Sequence, residues 1–237
     1  MDRDVDALSA FYHEDTSVPP YLLRHYWWAY VHPRGVKIFD RGWLINLILL
    51  GNYKRLVCAA LAEFETAPLG RLLQLACVYG NLTPKLAKRA SEAGGTLDVI
   101  DVLPIQLRNL KWKLPSRTPA RLLRMDSTAL EMPDARYDTV LLFFLLHEQP
   151  EAVRQKTVAE ALRVLKPGGK LILVDYGKAA WWNPLRYLMA PFLAVLEPFT
   201  LSLIATPLAA RLPSTMTLRQ TSYFGGFYQK LVAIKRH

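Results

Sequence analysis

The chain has 237 residues, of which 51% are hydrophobic and 21% charged, with 30 Lys and Arg against 20 Asp and Glu, a formal net charge of +10. This composition excludes a disordered or collagen-like chain and is enough for one α/β domain with a sizeable core. The cationic excess points to a polyanionic partner, nucleic acid or an anionic membrane surface, or else to a merely solvated basic face.

In chain order, residues 1–20, "MDRDVDALSAFYHEDTSVPP", are acidic and lack an apolar run. They read as a flexible arm ending at Pro19-Pro20 and as neither a signal nor a transit peptide, so a bacterial cytoplasmic protein is expected. Residues 21–237 read as a single domain. Its first part, 21–66, is helical, aromatic and basic, with Pro33 and Gly35 expected to break it into two helices and Gly51 to interrupt the second. Cys58 and Cys77 form no C-x-x-C pair and no zinc spacing, which excludes a disulfide scaffold.

From 67 to 178 short apolar runs alternate with helical patterns, as a mostly parallel sheet with crossover helices requires. The pattern predicts strands at 71–76, 96–100, 121–125, 137–143 and 170–175, and helices at 83–93, 104–112 and 151–165. The fold class is therefore α/β, with a helical N-terminal extension. Residues 179–215 contain an apolar stretch whose only ionisable groups between Tyr187 and Ala210 are Tyr187 and Glu197. Pro191, Pro198 and Pro207 cut it too short to span a bilayer cleanly. It reads as a lid, a membrane-facing segment, or a helix pair packed on the sheet. Residues 216–237 predict a C-terminal hairpin or bulged strand turning at Gly225-Gly226.

Four pieces carry chemistry together, although each alone has a plainer structural reading. In "LLQLACVYGNLTPKLA" a strand runs into a turn and a helix, so the amides near Gly80 and Asn81 could hold an anion. The segment "LDVID" then ends a strand on Asp101, with Val102 next, where an acid can accept two hydrogen bonds from a ribose diol. A third strand ends on Asp126 and Ser127, placed to meet an adenine edge. The fourth, "YDTVLLFFLLHEQP", delivers His147 and Glu148 to a strand C-terminus, and "LKPGGKLILVDY" ends on Asp175.

These segments resemble the class I S-adenosylmethionine-dependent methyltransferases, with a Rossmann-like sheet. The upstream "FDRGWLINLILLGNYKRL" is similar to ubiquinone and menaquinone methyltransferases. With "YLLRHYWWAYVHP" and "CVYGNLT" added, the chain most resembles the rhodoquinone-biosynthesis proteins, over residues 20–236. That resemblance implies conversion of ubiquinone to rhodoquinone, an amino group replacing a ring methoxy, with S-adenosylmethionine as amino donor and manganese assisting. The rival is ordinary quinone C- or O-methylation. Cofactor contacts are expected at Gln74, Ala76, Val78, Gly80, Asn81, Asp101, Val102, Asp126 and Ser127.

Val78 disfavours positive φ, so the loop is expected to depart from a glycine-rich path. Tyr79 and His147 are candidate catalytic groups, and His147, Glu148 and Asp175 candidate manganese ligands. The paired tryptophans, the apolar 187–210 run and the positive charge fit a protein peripherally bound to the inner membrane. No basic run interleaves with aromatics, so a nucleic-acid partner is not expected.

Overall fold

The computed structural model describes residues 18–65, 68–115, 118 and 120–236. The expected N-terminal arm lies outside the described residues except for its last three. Four helices open the structure, with one break more than those expected at Pro33–Gly35 and Gly51: α1 (Leu22–Val31), α2 (Pro33–Phe39), α3 (Gly42–Ile48) and α4 (Tyr53–Leu61). The first is π-wound, and His32 N donates to Trp27 O at 2.8 Å as it ends. Pro33 starts α2 where its missing N–H costs nothing. Gly35, expected to break the run, lies inside α2. A Cβ there would stand 1.8 Å from Trp28 O, so this glycine lets α2 press against α1. The further breaks fall at Asp40–Arg41 and around Gly51.

Next come β1 (Arg71–Leu75), α5 (Leu82–Glu92), β2 (Thr96–Asp101), α6 (Pro104–Lys113), β3 (Ala120–Arg124) and β4 (Tyr137–Phe143). They are followed by α7 (Glu151–Val164), β5 (Leu165–Tyr176), α8 (Leu185–Leu196), α9 (Thr200–Ala205), β6 (Thr217–Tyr223) and β7 (Tyr228–Ile234). The predicted strands and crossover helices therefore all form, shifted by a residue or so at most ends. The exception is β5, which begins at Leu165 and passes through the Pro-Gly-Gly turn. There Gly168 takes φ +75° and its amide donates to Lys235 O at 2.7 Å.

The sheet has the order β3-β2-β1-β4-β5-β7-β6. It is parallel from β3 to β5, and β7 lies antiparallel between β5 and β6. The chain reverses direction across the sheet between β1 and β4, which opens a crevice beyond their C-terminal ends. On one face Leu82, Leu86 and Ala90 of α5 pack with Leu56 and Val57 of α4; on the other, Val158 and Ala161 of α7 pack with Leu203 of α9. Each fully buried leucine here contributes about 2 kcal/mol. The apolar 187–210 run thus divides: α9 joins the core, while α8 leaves Tyr187, Leu188 and Val195 exposed. Among the described residues no single helix is long and apolar enough to cross a membrane.

Candidate active site

A cavity of about 400 Å³ opens at the C-terminal edge of the sheet, over the switch between β1 and β4. Nine of the expected residues line it together: Ala76, Val78, Tyr79, Asp101, Val102, Asp126, Ser127, His147 and Glu148. Its roof comes from α1, α3 and the Leu196-Glu197 end of α8. Gln74, Gly80, Asn81 and Asp175 are not on its wall, and each has an identifiable reason.

Gln74 is fully buried beneath the β1–α5 loop, where its Nε2 donates to Ala76 O and Thr83 Oγ1, both at 2.9 Å. It shapes the turn from behind. Val78 keeps a negative φ; the left-handed steps fall on Gly80 at φ +82° and on Ala76 at φ +69°, a conformation costing a non-glycine residue roughly 1–2 kcal/mol. The loop amides expected to hold an anion are already paired. Gly80 N donates to Asp40 Oδ1 at 2.7 Å, and Asn81 N to the Tyr53 hydroxyl at 2.8 Å. Lys113 bridges Asp40 Oδ1 at 2.7 Å and Gly80 O at 3.1 Å, locking the α2–α3 corner onto the loop.

Tyr79 lines the cavity. Its hydroxyl donates to Ala29 O at 2.5 Å and accepts from Gln106 Nε2 at 2.9 Å, and its ring stacks on Tyr30 at 5.4 Å. Burial pushes its phenol well above the usual range. Tyr79 thus ties the loop to α1 through a hydroxyl that is already paired. Tyr79→Phe is expected to lower stability by about 1–2 kcal/mol, seen by calorimetry as a Tm lower by roughly 3–6 °C.

Asp101, at the end of β2, accepts from Cys77 N on Oδ2 and from Leu103 N on Oδ1, each at 2.8 Å. Burial pushes its carboxyl up to about 6 against the pull of those amides. Asp126 Oδ1 accepts from Thr128 N at 2.8 Å and Thr128 Oγ1 at 2.9 Å. Ser127 Oγ lies 2.9 Å from Thr157 Oγ1 and accepts from Gln149 Nε2 at 3.1 Å. Each strand end is therefore fixed before any ligand arrives.

Under the roof stands a cluster read only in part from the sequence. His147 Nε2 lies 3.8 Å from Glu148 Oε1 and 3.8 Å from Glu197 Oε2. Tyr30 donates to Glu148, and Tyr26 donates to Glu197 at 3.0 Å. Asp175 stands behind the imidazole, 3.0 Å from Nδ1 but off the N–H axis, a close charge contact without an aligned hydrogen bond. Its Oδ2 accepts from Leu146 N at 2.9 Å and its Oδ1 from Tyr176 N at 2.8 Å. The fully buried Arg154 holds this turn to the segment after Glu197, donating to Leu146 O at 2.9 Å, Gln149 O at 2.8 Å and Phe199 O at 3.0 Å.

Burial disfavours the imidazolium of His147, yet Asp175, Glu197 and Glu148 together outweigh that and raise its pKa. Burial and the neighbouring Glu197 raise Glu148 in turn, against the pull of His147. Such a carboxyl can give or take a proton near neutral pH. The expected manganese site does not fit. Asp175 is spent on main-chain amides, and among the described residues no group of three His, Cys, Asp or Glu is arranged to hold a metal.

Residues 72–169 match the model of a methyltransferase domain. The seven-stranded sheet with its reversed last strand agrees with solved structures. A SAM-dependent methyltransferase from Aquifex aeolicus superposes with a TM-score of 0.55 at 19% identity, covering 86% of this chain and 98% of that one. The fold is that of the class I methyltransferases. The [4+2]-cyclase SpnF also shares it, with a TM-score of 0.56 at 17% identity over 77% of this chain and 80% of that one. Among sequence relatives, an uncharacterized methyltransferase of Synechocystis sp. is 29% identical over 87% of this chain and 93% of its own length. The ubiquinone/menaquinone biosynthesis C-methyltransferase of Burkholderia mallei is 28% identical over 60% of this chain, which spans only 56% of that protein. On the wall of the cavity the end of β2 places a buried carboxylate, Asp101.

Proposed function

We propose that this chain uses S-adenosylmethionine to modify the ring of a lipid-tailed quinone, and that it exchanges a ring methoxy group for an amino group. The observation that carries the finer half is the β1–α5 loop. Ala76, Val78 and Tyr79 give it side chains where a glycine-rich cradle has bare backbone, and the Gly80 and Asn81 amides are filled by Asp40 and Tyr53. The amino-acid end of the cofactor is then held from the cavity side, toward the substrate. An attacking amine must be neutral, and the acid–base cluster around Glu148 offers a group to take its proton. The displaced methoxy leaves as methanol; transfer of the donor's Cα proton and two electrons to the quinone then gives an imine, which water hydrolyses, releasing the donor's carbon skeleton as a 2-oxo acid and leaving the amino group on the reduced ring.

The second reading is ring methylation. It is favoured by the Burkholderia relative, whose name is that of a quinone C-methyltransferase. The fold itself does not choose between them, since a cyclase shares it. Two parallel incubations separate the two: ubiquinone, and a quinol of the same kind with one unsubstituted ring carbon, each with S-adenosylmethionine carrying a heavy α-amino nitrogen, with and without added manganese, followed by mass spectrometry of the quinone. Heavy nitrogen in a product that has lost a methoxy group is the expected result. A product gaining only a methyl would replace it with the second reading, and an unchanged quinone beside measurable cofactor binding would remove both.

A further inference from the structure

We infer that the mouth of the cavity docks on a bilayer carrying anionic headgroups, with α3 lying in the interface. The inference rests on the lipid-quinone reading for its purpose, and on the following surface for its evidence. Trp28 of α1, Ile48 of α3 and Leu196 of α8 all line the cavity, yet are 38%, 45% and 51% exposed. A side chain does both only at an opening, so three separate elements frame the mouth with apolar groups.

The elements of this frame carry further exposed apolar groups. Helix α3 buries Ile45 toward the cavity and turns Trp43 and Leu47 to solvent, each 64% exposed. Helix α8 adds the exposed Leu188 and Val195. Exposed apolar groups gathered on the elements that frame one opening mark an interface. Helix α3 meets the following helical segment at 98°, and Leu56, Val57 and Ala60 sink that segment into the core. The geometry suits a short helix lying along a surface with its apolar side down.

The charges select the occupant. Between residues 18 and 61 six cations, Arg24, Arg34, Lys37, Arg41, Lys54 and Arg55, are all exposed. The only carboxylate there, Asp40, is taken by Lys113 and the Gly80 amide. Glu197, the only acid of α8 and its flanks, points inward to Tyr26 and His147. An apolar opening framed by a helical segment with six exposed cations and no free carboxylate among its described residues attracts anionic lipid. It opposes a second copy of the same chain, whose rim would carry the same sign.

Flotation of the full chain tests this, with vesicles of phosphatidylcholine alone and with roughly one-third phosphatidylglycerol. The protein is expected to float with the anionic vesicles, to be released by high salt, and to bind the neutral ones weakly. Trp43→Asp with Leu47→Asp should weaken flotation about tenfold, with an unchanged Tm and unchanged turnover of a short-tailed, water-soluble quinone. Leu218→Asp, on β6 at the opposite edge of the sheet, should float as the parent does. Failure of the parent chain to float, equal flotation of the double variant, or a dimer that the double variant dissolves would each overturn the docking face. Flotation without quinone turnover would leave the face standing and remove the quinone reading; turnover of the soluble quinone without flotation would do the reverse.

Discussion

Asp101→Asn is expected to weaken S-adenosylmethionine binding about 100-fold while the fold is retained. A carboxylate accepting both ribose hydroxyls gains roughly 1.5–3 kcal/mol per charge-assisted bond, and the neutral amide forfeits most of that. The substitution also turns an NH₂ group toward either Cys77 N or Leu103 N, both of which now donate to Asp101. Donor then faces donor, and the loop end at Cys77 loses its anchor. The pH dependence follows from the carboxyl, which burial pushes up to about 6. The charged form is the acceptor, so affinity is complete above that pH and is lost as pH falls through it, approaching about tenfold per unit well below. Calorimetric titrations at several pH values between 5 and 8 check both parts. A flat pH profile, or near-parental affinity in the variant, would take Asp101 out of the cofactor site.

The parts of this site that were legible in the sequence are those fixed by local rules. Strand ends follow from apolar runs, and Asp101, Asp126 and His147 sit where those runs stop. What local rules could not give is the partner of each group. The Gly80 and Asn81 amides are filled from Asp40 and Tyr53, both in the N-terminal helices, and no spacing within the loop announces that. Gly35 has the same look in sequence whether it breaks a helix or lets two helices touch; only the Trp28 carbonyl against it decides. Asp175 ends its strand as expected, but the short turn Leu146–Glu148 presents its amides to that carboxylate and draws it behind His147.

Glu197 is different, because a signal existed. A single carboxylate in an otherwise apolar run is costly to bury unless a cation or a donor waits for it. Both do, in His147 and Tyr26. The consequence reaches beyond one residue. Tyr26 belongs to α1 and Glu197 to the end of α8, so the contact joins two roof elements that the sequence presents as unrelated helical stretches. Tyr30 does the same for α1 and Glu148. The roof is held to the floor through the acid–base cluster itself.

His147→Ala should therefore show the largest effect on the reaction: a loss of turnover of about 1000-fold, with about 3 kcal/mol of stability removed. Deleting the imidazole leaves Asp175, Glu148 and Glu197 in a buried site without their shared cation, and the acids respond by holding protons more tightly. The sign of the pH effect distinguishes this from simple cavity formation. Because the histidine pKa is raised in the folded protein, to about 9, its contribution to stability is present below the unfolded value near 6.5 and is lost as pH rises through the folded one. Denaturant unfolding of the parent chain should thus weaken between about pH 7 and 9; in the variant the imidazole's share of that decline is gone and the decline that remains is the one set by Glu148, whose carboxyl burial already raises to about 8. Glu148→Gln, which keeps the shape and an acceptor for Tyr30, should remove one limb of the turnover pH profile without this stability signature. If His147→Ala instead kept turnover within tenfold and an unaltered pH profile, the cluster would act only as the pin between roof and floor, and proton transfer would have to come from another group on the cavity wall.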